Sequence, residues 1–140
     1  MIVIANKRKY IGLIFTISML ISLFMIFVCF VERLIWLSIV FIIILLIALY
    51  LSMDYAYTPD NIISYDEKNN SLVFKNGSIK ISEMKEITAK RSSDFRGLHF
   101  NFGNLYIESS TSQYRFKYVS RVGKVRGDLI YLKHNGRLPE

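Results

Sequence analysis

Chemistry-bearing residues are scarce in this chain. It has one cysteine, Cys29, so no intramolecular disulfide can form and nothing demands an oxidising compartment. There are two histidines, His99 and His134, far apart and without a His-Glu-x-x-His pairing. No Gly-x-Ser-x-Gly elbow and no glycine-rich phosphate loop occurs, so hydrolase and nucleotide chemistry lack their usual residues. The adjacent acids Asp66-Glu67 share a turn and cannot flank a substrate as an acid and base pair. By strand alternation His99 falls beside Asn101, opposite Leu98, Phe100 and Phe102, a solvent position rather than a metal ligand. The sequence therefore offers no catalytic residue, no metal site, no cofactor and no evident small-molecule substrate. The net charge of +7 is dispersed. Residues 1–53 carry +3, from Lys7, Arg8, Lys9 and Arg33 against Glu32, and the remainder +4, from 14 Lys/Arg against 10 Asp/Glu. Neither part is basic enough to point to nucleic acid.

Charge is scarcest between residues 10 and 53, where Glu32 and Arg33 are the only formally charged side chains. At a rise of ~1.5 Å per residue, segments 10–31 and 34–53 make helices of about 33 and 30 Å, the thickness of a bilayer's hydrocarbon core. A single continuous helix would leave about half its apolar surface in water, so a transmembrane hairpin turning at Glu32-Arg33 is expected. The apolar run exceeds a signal peptide's h-region and has no Ala-x-Ala-like cleavage site. Phe27 and Val28 before Cys29 are not the small residues of lipoprotein processing, which leaves Cys29 as a small apolar residue near a helix end. Lys7, Arg8 and Lys9 outnumber Arg33, which predicts a multi-pass protein of the cell membrane with both termini cytoplasmic. Tyr10, Tyr50, Tyr55 and Tyr57 then belt the cytoplasmic interface and Trp36 the other. No Asp, Glu, Lys, Arg or His lies within either span, so a proton relay or gating charge has no candidate and the hairpin is mainly an anchor. Gly12, Thr16, Ser18 and Ser22 have spacings that permit close helix approach, either within the hairpin or at a dimer face.

Beyond the hairpin the pattern changes. Residues 54–61 read as a short tether, since Pro59 stops a helix and pushes Thr58 toward extended geometry. Period-two patterning then predicts strands over 62–65, 71–75, 78–82, 86–91, 98–102, 105–108 and 113–119. Asn76-Gly77 signals a type I′ turn with positive φ at both residues, and Gly103-Asn104 divides two strands. Ser120 is a candidate N-cap for a helix to about His134, with Val122, Val125, Leu129, Ile130 and Leu132 as its apolar stripe and Asn135-Gly136 as its stop. Residues 1–9 form a cytoplasmic N-terminal segment, 62–135 the soluble domain and 136–140 a tail.

About seven antiparallel strands closed by a C-terminal amphipathic helix describe a pleckstrin-homology-like (PH-like) barrel; a lipocalin-like or other small β barrel is the alternative. Three segments resemble the bacterial PH-like domain family in its small membrane-anchored form, with two N-terminal spans. They are Ile79-Lys-Ile-Ser-Glu-Met-Lys-Glu-Ile87, Phe102-Gly-Asn-Leu-Tyr-Ile107, and Tyr118-Val119 leading into the helix. The resemblance implies a non-catalytic module for protein binding or scaffolding at the membrane, in roles such as envelope stress or bacteriocin resistance. Eukaryotic PH domains often hold headgroups with basic residues in their first strand loop, whereas residues 66–70 here carry two acids and one lysine. Better candidates for anionic lipid or a partner are Lys90, Arg91, Phe95 and Arg96, or Arg121, Lys124 and Arg126. Each cation near an anionic leaflet contributes about 1 kcal/mol; the plain alternative is a solvated charge run. Membrane lipid and a protein partner or second copy are the expected partners. The alternative function is an accessory subunit of a transporter or envelope enzyme, associating through the hairpin.

Overall fold

The structure, a computed structural model, describes residues 1–93 and 99–139. It divides into two compact units: Lys9–Tyr57, and Met1–Arg8 together with Thr58–Glu140. The first is the expected helical hairpin, α1 (Tyr10–Val31) and α2 (Ile35–Tyr57). Both helices are long and apolar enough to cross a membrane. Their contact faces follow alternating steps of three and four: Ile11, Phe15, Ser18, Ser22, Met25 and Cys29 are buried or half-buried on α1. Ser38, Phe41, Leu45, Ala48, Ser52 and Tyr55 match them on α2. The remaining surface is large apolar side chains, Phe24, Phe27 and Leu46 among them, exposed on the outside of the pair. Arg33 takes the left-handed conformation (φ 56°), and the Leu34 and Arg33 amides donate back to the carbonyls of Cys29 (2.8 Å) and Phe30 (3.3 Å). That double bond pattern is a Schellman ending, which reverses the chain at the one charged pair.

The structure bears on three expectations at the edges of this unit. The proposed tether 54–61 is helical as far as Tyr57, because nothing before Pro59 obliges α2 to stop. Thr16 lies outside the contact face and its hydroxyl donates to the Gly12 carbonyl at 2.9 Å. The N-terminal segment 1–9 is not separate from the later domain: Ile2–Asn6 form strand β1, a β-branched run that belongs to the same compact unit as Thr58–Glu140.

In the β-rich unit the described residues form two antiparallel sheets. One has the order β1-β2-β3-β4, with β2 (Asn61–Asp66), β3 (Ser71–Phe74) and β4 (Gly77–Lys80). The other is β5 (Met84–Ser93), β6 (His99–Ser109) and β7 (Gln113–Ser120), and α3 (Val122–Asn135) follows. Strand β1 pairs with β2 in irregular register, Ile2 opposite Tyr65 and Asn6 opposite Asn61, although the entire helical hairpin separates them in sequence. The sheets meet through a bridge between Lys7 and Val119 and the bond from the Arg8 amide to the Tyr118 carbonyl (2.9 Å). Ala5, Ile63, Leu72, Leu105, Ile107, Val119, Leu129 and Leu132 are fully buried between sheets and helix. Phe74 on β3 sets its ring edge-on to Tyr114 and Phe116 on β7, at 5.1 and 5.2 Å, tying the two sheets together.

The expected closed barrel is instead this pair of open sheets. Strand β4 ends in a 3-10 turn (Ile81–Glu83) and does not pair with β5 among the described residues. The outer edge of β5 is met by α3: Arg126 Nε donates to the Ile87 carbonyl at 3.0 Å and Lys133 Nζ to that of Lys85. Side-chain donors thereby satisfy edge carbonyls that a closing strand would have taken.

The seven strands also differ from the seven expected. Gly103 does not break β6, which runs unbroken through it. A Cβ there would fall onto the Lys90 carbonyl oxygen and 2.8 Å from Arg91 Cα, so the glycine admits close backbone approach rather than a turn. Continuity puts Phe100 and Phe102 on the face opposite buried Leu105 and Ile107, where they stack at 5.6 Å. On β7, Tyr118 (φ 58°) is the extra residue of a bulge, so Val119 rather than Tyr118 enters the core. The β3–β4 turn is centred on Lys75-Asn76, and neither has positive φ; only Gly77 uses its freedom, at φ 154°. Ser120 closes β7, and the N-cap of α3 is Arg121 in left-handed geometry with no side-chain capping bond. The apolar stripe is as expected, Val122, Val125, Leu129 and Leu132 being buried with Ile130 against their margin, and Gly136 (φ 67°) ends the helix.

The two glycines of β6 and α3 make opposite forecasts. Gly103→Ala should destabilise by about 2–3 kcal/mol through overpacking. Gly127→Ala, with nothing within 4 Å of the added carbon, should stabilise by up to about 1 kcal/mol. Urea unfolding of the detergent-solubilised chain measures both.

Candidate functional site

The two basic groups singled out in the sequence are partly merged by the fold. Lys90 and Arg91 are exposed near the end of β5. The Arg91 guanidinium lies over the first turn of α3, where a Cβ on Gly123 would be 3.3 Å from its Nη2. Arg91 is thereby placed at the helical turn that carries Arg121 and Lys124, both exposed. Gly123, a costly residue by helix propensity alone, makes room for that side chain. Arg126 leaves the group, since its bond to the Ile87 carbonyl commits it to holding α3 on β5. Phe95 and Arg96, and the side chain of His99, lie outside the described residues.

A cavity of about 450 Å³ opens between β1 and α3. Val3, Ile4, Val125 and Leu138 supply its apolar walls, and Arg8, Arg121, Lys124 and Asp128 its charges. Among the described residues neither Arg121, Lys124 nor Asp128 forms an ion pair. Arg8 was legible only as a topogenic charge; it becomes a wall of this cavity because β1 joins the sheet. Lys7 was likewise counted only for orientation. Its side chain is 10% exposed, its Nζ donates to the Thr58 carbonyl at 2.8 Å and sits 3.5 Å from an Asp60 carboxylate oxygen, and its amide bonds the Asp60 carbonyl. It clasps the point where the chain leaves the β-rich unit to the point where it returns. The only sequence signal for either role was the β-branched run Ile2-Val3-Ile4.

The turn at residues 66–70 is occupied by its own polar groups. Asp66 accepts from the Lys68 amide (3.1 Å) and Asn69 Nδ2 (2.6 Å), and Tyr65 donates to Asn70 Oδ1 (2.9 Å). Asn70 takes φ 49°, a conformation asparagine tolerates. The Asn69 side-chain bond, with help from backbone amides, holds the Asp66 carboxyl below the usual aspartate range. An acidic, internally bonded turn is a poor receptor for an anionic headgroup.

In the hairpin, Gly12, Ser18 and Ser22 face α2. A Cβ on Gly12 would lie 2.7 Å from the Tyr55 ring, and the Ser22 hydroxyl donates to the Ser18 carbonyl at 2.8 Å. Tyr55 also donates to the Lys9 carbonyl at 3.1 Å and sets its ring edge-on to Phe15. Gly12, Ser18 and Ser22 are thus buried or half-buried on the side of α1 that meets α2. Among the described residues no group of three or more His, Cys, Asp or Glu is placed to hold a metal. Comparison with family models, with characterised proteins and with solved structures gives no match to this chain.

Two measurements check these assignments. Arg126→Ala should cost about 1–2 kcal/mol, since a charged donor to a partly buried carbonyl is lost, whereas Lys124→Ala should stay within about 0.5 kcal/mol; urea unfolding separates them. Folding lowers the Asp66 pKa, so its contribution to stability is present above the unfolded value and disappears as pH falls through the folded one. NMR titration should find Asp66 below the ordinary range, with Asn69→Ala moving it upward.

Proposed function

We propose that this chain is a non-catalytic, membrane-anchored binding module, with a PH-like soluble unit held at the cytoplasmic face of the cell membrane. The observation that carries the reading is the insertion of the apolar hairpin between two hydrogen-bonded strands, β1 and β2. If α1 and α2 each cross the bilayer, that pairing requires both ends of the hairpin to lie on one side. The basic residues Lys7, Arg8 and Lys9 select the cytoplasmic side. The outward surface of the hairpin is apolar, which suits lipid and not water. Support for the PH-like reading comes from sheets of four and three antiparallel strands followed by a C-terminal helix packed on β5 and β6. Gly12, Ser18 and Ser22 are turned inward, while Thr16 and the exposed apolar side chains are what the hairpin offers to the accessory-subunit alternative. The soluble unit is then the binding part, serving a protein partner or scaffold next to the membrane.

Thiol labelling of intact cells tests this, using Cys29→Ala as background and single cysteines at positions 2, 32 and 140. Position 32 should react with an impermeant maleimide from outside, and positions 2 and 140 only after permeabilisation. Labelling of 2 and 140 from opposite sides would exclude the arrangement, as would release of the chain by alkaline carbonate.

A further inference from the structure

We propose that the cavity between β1 and α3 binds a phosphate group, carried either by a lipid headgroup or by a soluble phosphate ester. Among the described residues the charge it presents is one-sided: Arg8, Arg121 and Lys124 against the acid Asp128. These cations come from separate elements, β1's end and α3's first turn, and converge only because β1 completes the sheet. Arg121 and Lys124 have no carboxylate partner among the described residues, so a ligand need not displace an internal ion pair. Asn6 and Ser120 add neutral hydrogen-bonding groups to the same wall. The Arg121 guanidinium fork and the Lys124 ammonium, on one turn, suit a tetrahedral oxyanion, whose several oxygens accept from different directions, better than a planar carboxylate with two.

The place of the cavity in the chain favours the lipid as one source. Arg8 precedes Tyr10, the first residue of α1, by two positions, so its Cα lies within about 8 Å of the start of that helix by backbone reach alone. Resting on the reading that α1 crosses the membrane, the backbone at Arg8 is then held by the chain itself near the interface, where lipid phosphates lie. The binding chemistry itself needs no membrane, which keeps the two claims separable.

The test uses the full chain in maltoside detergent, with backbone amide NMR as readout and two probes: inorganic phosphate and dihexanoyl phosphatidylglycerol. At least one should shift the amides of residues 6–8 and 120–124 saturably, while chloride at equal ionic strength should not. Arg121→Glu with Lys124→Glu should weaken that binding by roughly tenfold or more. The same charge change at exposed Lys68 and Lys80 should alter it by less than about twofold. Asp128→Asn should tighten binding by about twofold to threefold, a direction that damaged folding cannot produce. Saturation by inorganic phosphate alone assigns a soluble ester, saturation by the lipid alone a headgroup, and saturation by both the phosphate group itself. No saturable shift with either probe, an equal response to chloride, or equal loss in the Lys68 and Lys80 control overturns the proposal. Failure of the labelling at position 32 would remove the membrane source while leaving the phosphate arm standing.

Discussion

The pairing of β1 with β2 is the constraint on which the rest of this molecule depends. Buried backbone groups must find partners, and those of β1 find them on a strand that follows the whole helical hairpin. In folding terms the hairpin is therefore a loop, inserted where the chain passes from one strand to its neighbour. Long insertions of this kind cost little in closure entropy, because that cost rises only logarithmically with length. Lys7 reinforces the junction from the side chain, reaching Thr58 and Asp60 across the gap. Its ion pair is weak by itself because Asp60 is 90% exposed. The backbone bonds on either side give the clasp its definition.

From that junction the order of the β-rich unit follows. Once β1 is in place, Lys7 and Arg8 reach the bulged end of β7, and the four-stranded and three-stranded sheets become one layered core. The Tyr118 bulge turns Val119 inward beneath α3, whose Val122 and Val125 continue the same apolar seam. The cations of this unit then divide by what they touch. Arg126 and Lys133 satisfy carbonyls on the edge of β5, Lys7 holds the junction, Arg91 lies over Gly123, and Arg8, Arg121 and Lys124 surround the cavity. Equal formal charges acquire different tasks because burial and donor geometry differ.

Much of this was visible in local pattern. The helices, their turn at Glu32-Arg33 and the stripe of α3 each depend on neighbours within a few residues, and there the reading of periodicity matches the structure. It failed where the deciding partner is distant. Gly103 reads locally as a breaker, yet what sets it is the β5 backbone crossing beside it, and from that error followed the misplaced facing of Phe100 and Phe102. Strand β1 was invisible because a short β-branched run before a long apolar segment resembles the flank of a helix until β2 is brought beside it. The closed barrel was expected because strand counting does not reveal which edges side chains will cap.

By itself, then, the sequence determined the composition of each part: an apolar pair of helices with a charged turn, a set of alternating strands and one amphipathic helix. Those are properties of periods and of transfer between water and apolar surroundings, which a short window contains. The tertiary structure alone decided that residues 2–6 belong to the sheet, that Arg126 is a fastening rather than a free charge, and that Arg8 shares a cavity with Arg121 and Lys124. Each of these depends on hydrogen bonds or charges between residues far apart in the chain, and only the folded backbone brings them within reach.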